Sequence, residues 1–394
     1  MKHFIVRRLV IMSAKQMLKI GFVLDDSLDK ADGIQQYILS LGSWFSGEGN
    51  EVHYLVGQTT RQDVAGVHSL SRNIQVRFNH NVMSMPLPTS RLRLKSFLTN
   101  QDFDIIHVQL PYSPWLGHRI IESVQKRTVV FGTFHIVGHS RLVTLATHAL
   151  AVWTRKSIVR FDRIVSVSSA AATYAQQTYG IMSDVVPNVV DFQRFADAHP
   201  LPQYDDNVMT ILFLGRLVKR KGCLQLLKAI AIVQAESGLP QYRVLICGKG
   251  PLDAKLRNYC RQHGLDRLVT FVGYVSEENK PRYYASADIS VFPSTGGESF
   301  GIVLAEALAT GRSVVLAGDN AGYRTVMEPR QDLLFDPYDT TLLAKKISKF
   351  LRDNRARTEA ANWGKNYARH YDTRVVGRRL LEDYALALHK RQLL

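Results

Sequence analysis

The sequence predicts an α/β protein of two doubly wound, Rossmann-like domains that face one another across a deep cleft. The length of 394 residues exceeds one ordinary domain. From residue 19 onward, short apolar runs alternate with helix-period segments, the pattern of a parallel sheet covered by helices. After a polar stretch at 198–207, AHPLPQYDDN, the same alternation starts again.

The first set of strand-like runs is KIGFVL (19–24), EVHYLVG (51–57), DIIHVQL (104–110), TVVFGTFH (128–135) and RIVSVS (163–168). The second is TILFLG, RVLICG, VTFVG, ISVFP and SVVLAG, between residues 210 and 318. The expected domains are therefore 18–191 and 208–366, joined by a linker at 192–207. Residues 367–394 carry an amphipathic helix pattern with Arg374, Arg378 and Arg379, expected to pack back on the first domain. Residues 1–17 read as a disordered or over-called start, with Met12 or Met17 as alternative initiators. Arg7 and Arg8 interrupt the apolar part of this segment, and no small-residue cleavage site follows.

With 46% hydrophobic and 21% charged residues the chain can bury a large core. Its apolar stretch at 142–153 falls well short of the roughly 20 residues needed to span a bilayer. Cys223, Cys247 and Cys260 have no metal-type spacing, so free thiols in a reducing compartment are expected. The net charge of +16 implies an anionic partner: nucleic acid, an acidic membrane surface or a phosphorylated substrate. That charge divides as +6 up to Asp205 and +10 beyond, so it is no basic tail. Without a zinc-ligand spacing, an aromatic RNA-binding signature or a lysine run, nucleic acid is not the expected partner.

Ligands of doubly wound sheets bind beyond the carboxyl ends of the strands, so the chemistry should lie in the loops there. The strongest signal is GGESFGIVLAEALATG (296–311), directly after the run ISVFP. Its glycines allow a tight turn and close backbone approach, and the Ser299-Phe300-Gly301 segment reads as the opening of a helix whose free amides suit a diphosphate. Glu298 and Glu306, eight residues apart, place Glu306 about two turns into that helix, and both carboxylates can accept from sugar hydroxyls. The loop LGRLVKRKG (214–222) brings Arg216 and Lys221 to a strand end, where they can offset the charge of a leaving diphosphate. The turn CGKGP (247–251) is a weaker signal of the same kind. In the first domain, Gly33 opens a helix after the first strand, another diphosphate contact, and His135 ends the strand TVVFGTFH.

On GRLVKRKG and on FVGY together with SADISVFPSTGGESFGIVLAEALATG, the chain resembles the retaining glycosyltransferases of family 4, which have the GT-B fold. The likeness runs from Lys19 onward and is densest toward bacterial phosphatidylinositol mannosyltransferases and related glycolipid transferases. The resemblance implies that Arg216 and Lys221 hold the donor diphosphate, with Gly33 against it from the other domain. It implies that Glu298 binds the donor sugar hydroxyls, helped by the amides of Ser299, Phe300 and Gly301, and that Glu306 takes the ribose. His135 would stand beside the C6 hydroxyl of the transferred sugar, and Gln35 near the acceptor. Retaining members react on one face of the sugar, with the leaving phosphate helping to deprotonate the acceptor, so no protein nucleophile, tightly bound cofactor or bound metal is implied, although Mg2+ can stimulate. The sequence shows no paired-carboxylate glycosidase site.

The usual Gly-Gly of the first loop is Asp32-Gly33 here, and the usual Pro-Asn-Gly-Val-Asp is Pro187-Asn188-Val189-Val190-Asp191. Relatives that use phosphatidylinositol carry arginines just after an aromatic-Asn pair, whereas Phe78-Asn79 is followed by HNVMSMPLP. Cations come later, at Arg91, Arg93 and Lys95, in SRLRLKSFL. On a helix these would flank an apolar face of Leu94, Phe97 and Leu98, suited either to anionic headgroups or to packing on the sheet with a solvated basic edge.

The leading expectation is a retaining transferase moving a hexose, mannose from GDP-mannose, onto a lipid-anchored acceptor at the cytoplasmic membrane face. The alternatives are a UDP-sugar donor with a diacylglycerol or soluble saccharide acceptor, a nucleotide-sugar epimerase on the same fold, and a non-catalytic basic peripheral scaffold.

Overall fold

Apolar runs without polar alternation form strands covered on both faces, as a parallel sheet requires. The strands Ile105–Gln109 and Val129–Phe134 are buried at every position. In the computed structural model, which describes residues 17–29, 32–78, 81–138, 154–155 and 157–393, the chain divides into two units. One is Met1–Val189 with Thr373–Leu394, the other Val190–Asp372.

The strands of the first unit, in chain order, are β1 (Lys19–Leu24), β2 (Glu51–Val56), β3 (Val67–Ser69), β4 (Asn73–Phe78), β5 (Asn81–Pro86), β6 (Ile105–Gln109), β7 (Val129–Phe134), β8 (Arg163–Ser166) and β9 (Asp184–Val185). Seven form a parallel sheet in the order β3-β2-β1-β6-β7-β8-β9, and β4 and β5 form a separate antiparallel pair. The strand direction of winding reverses between β1 and β6. The hairpin and the short strands β3 and β9 are additions to the five runs legible in the sequence.

The core of this unit is aromatic: Phe22, Tyr37, Phe45, Tyr54, Phe131 and Tyr384 are buried together with Ile20, Ile105 and Leu380. The helix Thr373–Gln392 supplies Val376, Leu380 and Tyr384. It approaches closely because residue 377 is glycine; a Cβ there would lie 2.4 Å from the Trp44 ring. Polar ties fix its register: Tyr384 Oη and His107 Nδ1 share a hydrogen bond across 277 residues of chain, and Arg163 meets Asp383 at 2.8 Å.

The second unit holds β10 (Met209–Leu214), β11 (Tyr242–Cys247), β12 (Val269–Gly273), β13 (Ile289–Phe292), β14 (Val314–Gly318) and β15 (Leu334–Phe335), all parallel, in the order β12-β11-β10-β13-β14-β15. This is the Rossmann order, with its reversal between β10 and β13. The three cysteines are buried and free.

The stretch 192–207 is not a linker. Phe192 and Phe195 are buried on one side of the short helix Phe192–Ala196, and Pro202–Tyr204 forms a further turn, so this segment is part of the second unit. The second unit also extends past residue 366: Tyr371 packs edge-on to Phe300 at 5.2 Å, and the C-terminal helix begins only at Thr373. Val190 and Asp372 pair as a parallel bridge where the two connecting segments pass. The apolar stretch 142–153 and residues 1–16 lie outside the described residues.

The helix Arg91–Gln101 turns its apolar side inward. Leu94 and Leu98 are buried in a core cluster with Phe103 and Ile106, and Phe97 packs edge-on to His68 at 4.9 Å. A headgroup-facing surface of Leu94, Phe97 and Leu98 is therefore excluded, because burial in the unit's own core already satisfies them. What faces outward is the basic edge, Arg91, Arg93 and Lys95, with Leu92 82% exposed among them.

Candidate functional site

In the second unit the loops after β10 and β13 lie side by side at the carboxyl end of the sheet, where the strand order reverses. Crevices at such points bind ligands in open α/β sheets. Backbone contacts lock the two loops together: the Thr295 amide donates to the Arg220 carbonyl at 2.8 Å. Gly222, at φ 71°, presses so closely that a Cβ would lie 1.8 Å from the Pro293 carbonyl oxygen. The third neighbouring loop joins them through Asn320, whose Nδ2 donates to the Ser294 carbonyl at 3.2 Å while its Oδ1 caps the helix Ala321–Met327.

Glu298 is the focus of this arrangement. Its Oε1 receives Arg220 Nη1 at 2.7 Å, Lys221 Nζ at 2.9 Å and Ser294 Oγ at 2.8 Å; its Oε2 lies 3.1 Å from Lys221 Nζ. Burial pushes the Glu298 carboxyl up, but the charges of Lys221 and Arg220 and the hydrogen bonds from Lys221 and Ser294 outweigh it and hold the group below its ordinary value. The result is a carboxylate kept ionised in a largely dry site.

Gly296 and Gly297 take φ of 147° and 70°, conformations open to glycine, and carry the chain around to Glu298. The helix that follows opens later than the sequence suggested. Gly301, at φ 102°, is its N-cap and Ile302–Thr310 is the helix, because the left-handed backbone at Gly301 cannot continue one. Ser299 and Phe300 thus precede the helix, and the Phe300 side chain is buried against Tyr371, leaving only its backbone to a ligand. Arg216 is exposed on the loop after β10.

Glu306 sits at the fifth helical residue, little more than one turn in rather than two. It is 2% exposed, with Oε1 3.0 Å from Lys280 Nζ and Oε2 accepting from the Tyr284 hydroxyl at 3.0 Å. Burial raises its carboxyl above the ordinary value even against Lys280. Each oxygen retains a second lone pair, so the group can still accept from a ligand hydroxyl. Lys280 also meets Glu277 at 2.6 Å. Arg220, Ser294, Lys280 and Tyr284 were not singled out by the sequence. Arg220 had only its place beside Lys221 as a signal, and the others had none.

In the first unit, Gly33 opens the helix Gly33–Gly47, and a Cβ there would meet nothing within 4 Å. Gln35, two residues on, is turned inward; its Nε2 donates to the Ser27 carbonyl at 3.1 Å and it is 3% exposed. It holds the loop after β1 rather than presenting an amide to a ligand. His135, just past β7, is buried, with Nε2 2.8 Å from Gln109 Oε1 and its ring edge-on to Tyr37 at 5.1 Å. Because a Gln oxygen only accepts, Nε2 carries the proton and Nδ1 is the acceptor. Burial pushes the imidazole down to about 3, so it is neutral at ordinary pH. Among the described residues no group of three or more His, Cys, Asp or Glu could hold a metal ion.

Comparison with known proteins agrees with the two-domain fold. Residues 31–194 match Glycosyltransferase Family 4, and residues 199–370 match Glycosyl transferases group 1. A phosphatidyl-myo-inositol mannosyltransferase of Mycobacterium tuberculosis is 30% identical over 380 residues, 93% of this chain and 96% of its own. A glycosyltransferase from Rickettsia africae superposes with a TM-score of 0.73 at 16% identity, over 95% of this chain and 99% of its own. Anabaena HepE in complex with UDP and glucose does so with 0.72 at 17% identity, over 93% and 99%. The chain belongs to glycosyltransferase family 4 and is a glycosyltransferase enzyme with the GT-B fold of two Rossmann-like domains.

Proposed function

We propose that the protein transfers a hexose, mannose from GDP-mannose, with retention of configuration onto a lipid-anchored acceptor at the cytoplasmic face of the membrane. The observation that carries the donor half is the Glu298 carboxylate, kept ionised by Lys221 and Arg220 at the β10/β13 reversal. In this reading Lys221 and Arg216 receive the donor diphosphate, and Glu298 with the amides of Ser299, Phe300 and Gly301 receives the sugar. Glu306 receives the ribose, and Gly33 brings backbone to the diphosphate. The bond from the sugar's C1 to the phosphate oxygen breaks, the acceptor hydroxyl oxygen bonds to C1 from the same face, and its proton passes to the departing phosphate. Cations near that phosphate favour the transition state because charge grows there. Where Mg2+ stimulates, it would supply further positive charge to the diphosphate that Lys221 and Arg216 hold.

His135 is neutral and donates Nε2–H to Gln109, so its part is to orient the sugar through Nδ1 and not to transfer a proton. Mannose and a lipid acceptor are supported by the name of the mycobacterial relative. The outward basic edge of Arg91, Arg93 and Lys95 suits an anionic membrane surface. No helix among the described residues is long and apolar enough to cross a membrane.

A second reading keeps the donor site but uses a UDP-sugar and a diacylglycerol or soluble saccharide acceptor. It is favoured by the strand β5, whose sequence NVMSMP has no cation to read a lipid phosphate. Incubating the protein with radiolabelled GDP-mannose or UDP-glucose and vesicles of phosphatidylinositol or diacylglycerol separates the two. The first reading requires a mannolipid from GDP-mannose; label only in a glucosylated product supports the second.

A further inference from the structure

We propose that Arg220 and Ser294 are positioning residues that fix Oε1 of Glu298 and thereby leave Oε2 as the atom that reads the transferred sugar. This rests on the donor site described above. Three donors converge on Oε1 within 2.9 Å, from Arg220, Lys221 and Ser294, more than one carboxylate oxygen readily accommodates. Oε2 has Lys221 at the longer distance of 3.1 Å. A sugar hydroxyl is therefore best accepted at Oε2.

The two holders are themselves held by the loops they join. The Arg220 carbonyl accepts from the Thr295 amide at 2.8 Å and lies 3.0 Å from Ser294 Oγ, so the residue that grips Glu298 is anchored on the loop that carries Glu298. On the other side, residue 322 is glycine, and a Cβ there would lie 2.1 Å from the Glu298 carbonyl oxygen, so the helix Ala321–Met327 backs the glutamate closely. The carboxylate is thus fixed in direction as well as in charge. Arg220 has a task different from that of Lys221: it keeps a buried glutamate ionised and aimed, while Lys221 spans both oxygens and also serves the diphosphate.

The test compares Arg220→Met, Arg220→Lys and Ser294→Ala with wild type. Donor kcat/KM is followed from pH 5 to 8, and the Kd of the free nucleoside diphosphate, GDP or UDP, is measured by calorimetry. Removing an adjacent cation raises a carboxylate's pKa by about one unit or more. Wild type and Arg220→Lys are expected to show no acid limb above pH 5. Arg220→Met is expected to lose about tenfold in kcat/KM at pH 7 and to show an acid limb between pH 5 and 6, with its nucleoside diphosphate Kd within about twofold of wild type. Ser294→Ala should move in the same direction by less. An Arg220→Met profile with no acid limb, or a Kd that weakens as much as kcat/KM falls, overturns the proposal. Glu298→Gln separates the two levels: inactive Glu298→Gln beside an Arg220→Met enzyme without an acid limb sinks the positioning role alone, whereas wild-type turnover by Glu298→Gln sinks the donor site itself.

Discussion

Lys280 and Glu306 form an ion pair inside the second unit, Nζ to Oε1 3.0 Å, with side chains 9% and 3% exposed. The Tyr284 hydroxyl donates to the other oxygen, so the carboxylate is held by two side chains from the helix Lys280–Ala285. Removing one member of a buried pair leaves an uncompensated charge and costs about 3–5 kcal/mol. Lys280→Ala should lower stability by that amount in urea denaturation. Adding Glu306→Gln should recover much of the loss, because the stranded charge is then gone. If Lys280→Ala unfolds like wild type, the pair is not buried as described.

The first unit should lose stability as pH falls below neutrality, through His135 and His107. Burial lowers both imidazoles, His135 to about 3 and His107 well below its usual value. A folded pKa below the unfolded one means that the unfolded chain binds more protons. The stabilisation is then full above pH 6.5 and fades as pH drops toward the folded value, at about 1.4 kcal/mol per pH unit for each histidine. Melting curves between pH 7 and 5 should show this slope, and His135→Gln should reduce it. An unchanged slope in the variant would place the imidazole in water.

In the proposed mechanism the ring of His135 serves the reacting sugar and not the nucleotide, so His135→Ala should lower kcat much more than donor affinity. The wild-type kcat profile should carry no ionisation near pH 6.5 that disappears in His135→Ala, because the ring is neutral throughout. Steady-state kinetics beside nucleotide titration measures both. Equal losses in affinity and rate would make His135 a plain binding residue.

Much of the fold was legible because parallel strands buried on both faces appear as uninterrupted apolar runs. All ten expected runs became strands. The hairpin β4–β5 escaped because NIQVRF and NVMSMP mix polar and apolar residues on a pair that joins neither main sheet. The expected linker was misread because polarity at 198–207 masked Phe192 and Phe195, whose burial is a tertiary fact. At the site, glycines and charges marked the loops; that Lys221 pairs with Glu298 is a finding of the structure. The grip of Arg220 on Glu298 spans 78 residues and that of Lys280 on Glu306 spans 26, which no local spacing encodes; Ser294 lies only four residues before Glu298, but a lone serine at that spacing is no signal. For Arg91–Gln101 the sequence left two directions open for the apolar side; the structure takes the one that packs it into the core with a solvated basic edge, a choice the helical period alone does not encode.

Changing Arg91, Arg93 and Lys95 to Ser should weaken sedimentation with anionic vesicles at low salt. Cations near such a surface contribute about 1 kcal/mol each, roughly two decades for three. Arg91 is partly committed to Glu122 at 2.8 Å, so Arg93 and Lys95 should account for most of the loss. Nucleotide binding should be unaffected. Unchanged vesicle binding would remove this edge from the membrane role.

The donor site is tested most directly by calorimetric titration of GDP and UDP into wild type and Lys221→Ala, with transfer measured in parallel for Glu298→Ala. Wild type should bind one of the two nucleotides. Lys221→Ala should lose at least about tenfold in affinity, the worth of one charge-assisted contact of about 1.5 kcal/mol or more. Glu298→Ala should lose transfer while keeping a cooperative melt. Nucleotide affinity unchanged in Lys221→Ala, together with near-wild-type turnover by Glu298→Ala, would contradict a donor site at the β10/β13 reversal.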